Sequence, residues 1–186
     1  MNIRNISVPR YSLISICIHW LMVLQLTAVY ACVELHELFP KGSSLHQGLK
    51  SWHFMLGLSV LVLVSLRLIA RLFSPVPDIE PAPPGWQKLS AKLLHVLLYI
   101  LMICMPLLGW TLLSAAGKPI PFFGLQLPAL IGENKDLAKF LKELHGIGGN
   151  VGYFIIALHA LAALFHHYVV RDNTLTRMLP NRSGLT

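Results

Sequence analysis

Four long apolar runs, at residues 13–33, 49–72, 89–113 and 145–170, alternate with polar connections along this chain. Each approaches or exceeds the roughly 20 residues that a helix needs to cross a hydrocarbon core of about 30 Å. Backbone amides in lipid must be satisfied within the segment, so helix is the expected form of all four. The first run is too long for the apolar part of a signal peptide and lacks a small-x-small cleavage site, so it is expected to stay as a retained helix. Between the runs, residues 34–50 predict a polar connection with a turn at 40–44. The stretch S-P-V-P-D-I-E-P-A-P-P-G at 74–85 is too rich in proline for helix and predicts a stiff exposed loop. In the longest connection, P-F-F-G-L-Q-L-P is expected to fold against the membrane, and the amphipathic piece 134–143 to form a short surface helix. Pro106 predicts a kink in the third span. The fold class is therefore all-α: an integral membrane four-helix bundle, expected to form one domain.

Composition agrees and narrows the function. Of 186 residues 55% are hydrophobic and only 12% are charged, about half the charge of a typical globular protein. A net charge of +7 would suit nucleic acid, but the basic residues sort by loop and form no binding face. Nine Lys/Arg (Arg4, Arg10, Arg67, Arg71, Lys88, Lys92, Arg171, Arg177, Arg182) fall on the side of the termini and the proline-rich loop, against six on the other side. The positive-inside rule then places both termini in the cytoplasm. Cys17, Cys32 and Cys104 all lie in apolar segments, so no disulfide framework is expected. No C-x-x-C-H is present, which argues against covalently attached haem.

The informative residues are histidines inside the apolar runs, where an ionisable side chain is costly and marks a functional site by default. His145 and His159 are fourteen apart, so they share one face of the last span at about 21 Å separation. His53 opens the second span and matches His145 in depth; His19, two turns into the first, matches His159. Two facing imidazoles are too few for zinc, which takes four ligands. They suit haem iron, whose ring already supplies four nitrogens. Gly57, Gly149 and Ala163 each lie one turn beyond a histidine and leave room for a macrocycle; Val23 beside His19 does not. The Gly148-x-x-x-Gly152 spacing alone indicates no more than close helix packing.

His95, His166 and His167 gather at the terminal ends of the spans. His166 is seven residues past His159 on the same face, where a free imidazole could bond and protonate a quinone ring. His95 reaches the same depth and is also an alternative to His19 as an iron ligand. Arg67, fourteen residues after His53, is the candidate partner for a haem propionate; Arg71 suits either a propionate or lipid. His36 and His46 sit in a connection and are expected to be solvated.

The residues I-H-W-L in the first span, W-H in the second, and H-G-x-x-G-N-V-G-Y-F-I-I-A-L-H-A-L-A-A-L-F-H-H-Y-x-x-x-D-N-T-L-x-R-M-x-P from His145 onward resemble the bacterial cytochrome b561 family. The resemblance covers nearly the whole chain and is strongest to the small four-helix di-haem members. It implies an inner-membrane protein with two haem b groups, one on His19 and His159 and one on His53 and His145. It further implies a quinone near His166, with His95 in reach, and a reaction that takes electrons from periplasmic superoxide and reduces ubiquinone. A basic group near the outer haem would concentrate that anion; Lys118 is the first candidate, with Lys50 and Lys139 behind it. Competing expectations are an electron-transfer subunit fed by a partner dehydrogenase or carrier, and a membrane binder or transporter without haem. Homodimerisation or a redox partner is compatible with either redox reading.

Overall fold

The computed structural model describes residues 10–180; Arg4 and Arg182 of the charge count lie outside them. Four helices carry the chain: α1 (Leu13–His36), α2 (Ser44–Phe73), α3 (Gly85–Ala115) and α4 (Lys135–Phe165). All four are long and apolar enough to cross a membrane. α2 and α4 begin ahead of their apolar runs because caps, not hydropathy, set where they start. The Ser43 side chain accepts the His46 amide at 3.2 Å and starts α2 ahead of its apolar run. Asn134 Oδ1 accepts the Leu137 amide at 3.0 Å and starts α4 at Lys135. This corrects the separate surface helix expected at 134–143, which is the first part of α4. α3 continues through Pro106.

Helix α1 packs most extensively on α2, α3 on α4, and α2 on α3. Two small cores hold α1, α2 and α3 together: Met22, Val60, Val64 and Met102 in one, Leu58, Leu113 and Ile120 in the other. Most other large apolar side chains face outward, Phe73 and Phe154 at 84% and 77% exposure among them. A soluble protein would not leave so much apolar surface uncovered; a bilayer covers it. The chain is a multi-pass membrane protein.

A two-stranded hairpin, Pro121–Phe122 with Leu125–Gln126, lies across one end. Phe123 and Gly124, at φ 45° and 86°, turn it, as left-handed residues do in tight hairpins. Ile120 is buried against the bundle, and Trp110 Nε1 donates to Pro128 O at 3.0 Å, so this segment, expected to fold against the membrane, is folded onto the helix ends. The opposite end gathers both terminal segments and the proline-rich loop. There Tyr11 N donates to Arg177 O, Asn173 N to Glu80 O and Trp20 Nε1 to Met178 O.

The Gly148-x-x-x-Gly152 spacing receives side chains. A Cβ on Gly148 would strike Met105 Sδ, and one on Gly152 would strike the Tyr30 hydroxyl. Tyr30 reaches this notch from α1 and donates to Gly149 O at 3.0 Å. Gly152→Val is therefore expected to cost about 1–3 kcal/mol by overpacking, measured as a lower unfolding temperature in detergent; an unchanged temperature would mean that Tyr30 yields freely.

Candidate functional site

The structure brings the intramembrane histidines together in two groups at different depths. Toward the hairpin end, the rings of His53 from α2 and His145 from α4 have centroids 6.1 Å apart at 84°. His53 Nδ1 lies 3.2 Å from Val29 O of α1, which orients the ring and leaves Nε2 as its free nitrogen. His145 Nδ1 is buried without a partner among the described residues. Gly109 of α3 permits this placement, since a Cβ there would come within 3.3 Å of His145 Cε1. At Gly57 and Gly149 a Cβ would meet nothing within 4 Å, so the space expected beside these two histidines exists.

Toward the terminal end, His19 of α1 and His159 of α4 have ring centroids 6.3 Å apart. His95 of α3 lies closer to His159, at 5.3 Å, with its Nδ1 on Ala91 O at 2.7 Å. These three histidines line a largely apolar cavity of about 400 Å³ together with Arg67, Tyr30 and Tyr153. Arg67 Nη1 is buried and has no hydrogen-bond partner among the described residues. A half-buried guanidinium whose inner nitrogen lacks a partner suits an acidic ligand group. Arg71 is exposed, one turn nearer the end of α2.

A metal–imidazole bond of about 2 Å sets the centres of two opposed imidazoles about 6 Å apart. The 6.1 and 6.3 Å separations meet that requirement. Among the described residues no group of three or more His, Cys, Asp or Glu side chains could hold a metal ion. Paired imidazoles, open space beside glycine and one unpaired cation fit haem, which supplies its own equatorial nitrogens. The sequence matches known proteins over nearly its whole length. Residues 10–181 match the family described as prokaryotic cytochrome b561. The chain belongs to that family.

Escherichia coli (strain K12) cytochrome b561 homolog 1 is 42% identical over 173 residues, 93% of this chain and 98% of that protein. The probable superoxide oxidase CybB of Yersinia pestis is 39% identical over 175 residues, 94% of this chain and 98% of that one. Cytochrome b561 homolog 2 of Escherichia coli (strain K12) is 27% identical over 176 residues. A cytochrome b561 is a membrane oxidoreductase that carries b-type haem, and this chain is one.

Other candidates of this cytochrome stand apart from the histidine groups. Lys118 is exposed and lines a hollow of about 590 Å³ beside Glu133, with no histidine in its lining. Lys139 is exposed and Lys50 half-buried. His46 is not solvated as expected: it is buried, with Nδ1 2.9 Å from His36 O and its ring 4.9 Å from that of His36. The cap that starts α2 early folds it inward.

His166 carries a partner that the sequence did not point to. The last helix widens into a π-turn over His166–Val170, and Arg171 then takes the left-handed conformation at φ 60°. The chain doubles back and sets Asp172 Oδ2 2.5 Å from His166 Nδ1. Burial by itself would raise the Asp172 carboxyl, but the hydrogen bonds from His166 and the Thr174 amide outweigh it, and the net shift is downward. The stability this carboxylate adds is thus present above its ordinary value of 3.8 and is lost as the pH falls through the lowered one. A second unforeseen cluster joins α1 to α4: Tyr153 Oη donates to Glu34 Oε1 at 2.6 Å, and the Tyr30 and Tyr153 rings lie 4.2 Å apart.

Proposed function

We propose that this cytochrome oxidises superoxide on the hairpin side and reduces ubiquinone on the terminal side, with two haem b groups supplying one-electron redox chemistry between them. The balance is two superoxide anions, one ubiquinone and two protons giving two dioxygen molecules and one ubiquinol. One observation carries the reading: two histidine pairs, both about 6 Å across, stand at two depths of one bundle. We assign His53 and His145 to one haem and His19 and His159 to the other: each pair would hold the iron of a haem between imidazoles about 6 Å apart, whereas His95 and His159 stand closer, at 5.3 Å. Arg67 holds an acidic group of the second haem, and His166 bonds the quinone ring, with His95 in reach. Arg71 is left to lipid headgroups. Lys118 adds positive potential where superoxide approaches. The charge sorting supports a bacterial inner-membrane protein with the terminal side in the cytoplasm. The similarity to a probable superoxide oxidase supports the donor.

Rapid mixing of the oxidised, detergent-purified protein with superoxide tests this. The haem absorption bands are expected to become reduced, to stay oxidised when superoxide dismutase is present, and to reoxidise when ubiquinone is added. Bands that resist superoxide but respond to dithionite would replace this reading with a carrier fed by a partner protein.

A further inference from the structure

We propose that Asp172 positions His166 for the quinone: its carboxylate holds the hydrogen on Nδ1, so that Nε2 alone meets the quinone oxygen. The proposal rests on the quinone site placed at His166 above and adds the residue that makes that imidazole fit for the task.

The backbone goes out of its way to make this contact. An ordinary α-helical end would send residue 172 on past His166; the π-turn and the left-handed Arg171 bring it back. π-turns inside helices are rare and gather at functional sites, and a non-glycine residue in the left-handed region is uncommon and worth explaining. Arg171 N and Asp172 N both donate to His166 O, so one carbonyl anchors the reversal. Asp172 is itself buried, with no exposed side-chain surface, while His166 keeps 19% of its own. Among the described residues the carboxylate faces no lysine or arginine in an ion pair; its partners are His166 Nδ1 and the Thr174 amide. A buried carboxylate paired with a histidine in this way fixes the ring's tautomer and orientation. Among the described residues His166 Nε2 makes no hydrogen bond.

The clamp around the dyad keeps it in register. Asn173, the next residue, bonds Glu80 in both directions and reaches Asp78 O. Arg177 donates to Pro77 O and lies over the Tyr11 ring, 5.5 Å from its centroid. The tail is therefore tied to the proline-rich loop and to the start of α1, and Asp172 is presented from a fixed platform. With the hydrogen held on Nδ1, neutral His166 can accept from a quinol hydroxyl through Nε2. With a second proton it can donate to a quinone carbonyl through the same atom. Asp172 is a positioning residue, since it touches the imidazole and not the ring.

The test uses the full-length protein with its haem bound, reduced beforehand, and follows reoxidation by a short-chain ubiquinone across a range of concentrations. Asp172→Asn keeps the shape and an acceptor for the Thr174 amide. It is expected to leave the haem spectrum as it is and to lower the unfolding temperature by the stability the carboxylate adds, equally in both His166 backgrounds or less without that ring, while lowering the rate per unit quinone about 10- to 100-fold, the loss typical when a histidine's orienting carboxylate is removed. In a His166→Gln background the same change is expected to have no further effect on that rate, because it acts on the quinone only through that ring. An equal loss of rate in both backgrounds would mean a general structural role and would overturn the proposal. If His166→Gln is impaired and Asp172→Asn is not, the quinone placement stands and the positioning role falls. If His166→Gln reacts normally, the quinone placement itself falls and takes the proposal with it. Should Asp172→Asn lose its haem, Asp172→Ser keeps a short acceptor for the turn without a carboxylate, and the same outcomes decide.

Discussion

Alanine at His145 or His53 is expected to take the purified protein from two haems per chain to one, measured by the pyridine haemochrome against protein. The remaining haem should keep its bis-imidazole spectrum, because the other pair lies at a separate depth with its own residues from α1 and α4. Alanine at His19 or His159 should remove the complementary haem. The decisive comparison is His19→Ala with His95→Ala, since both rings stand near His159. A 6.3 Å separation suits imidazoles on opposite sides of a metal, and 5.3 Å does not. His95→Ala should therefore retain both haems. One haem in His95→Ala and two in His19→Ala would reverse the assignment and make His19 the free imidazole.

Much of this arrangement was legible because helices in lipid obey simple rules. Apolar runs of spanning length gave the four helices, and the helical rise alone placed His145 and His159 at two depths. The starts of α2 and α4 were not legible from hydropathy. Ser43 and Asn134 set them through single side-chain bonds, and so a surface helix expected at 134–143 became part of α4. His46 was missed for the same reason: its burial follows from the turn that the Ser43 cap terminates. Asp172 was invisible because the periodicity that relates His159 to His166 ends at the π-turn, and the contact is made by a chain reversal. The glycines at 148 and 152 could be read as close packing, yet not as a notch for Met105 and Tyr30, whose side chains arrive from two other helices. Periodicity carries depth along a helix; it does not say which neighbour arrives there.

Arg67→Met should selectively weaken the haem on the terminal side. Arg67 lines the same cavity as His19, His95 and His159, and its Nη1 is buried without a partner among the described residues. Removing one member of a buried ion pair typically costs about 3–5 kcal/mol, or on the order of 10²- to 10³-fold in affinity. Transfer of haem to an added scavenger should therefore speed up for one haem and stay unchanged for the other. Arg67→Lys keeps the charge but not the planar fork, so an intermediate rate is expected. Arg71→Met is the internal control: its side chain is exposed, and an exposed ion pair is worth about 0–1 kcal/mol, so release should change at most a few-fold. If Arg67→Met held both haems as tightly as the unmodified protein, the guanidinium would have to serve something other than haem. A parallel loss in Arg71→Met would instead point to the general positive charge of this end of α2.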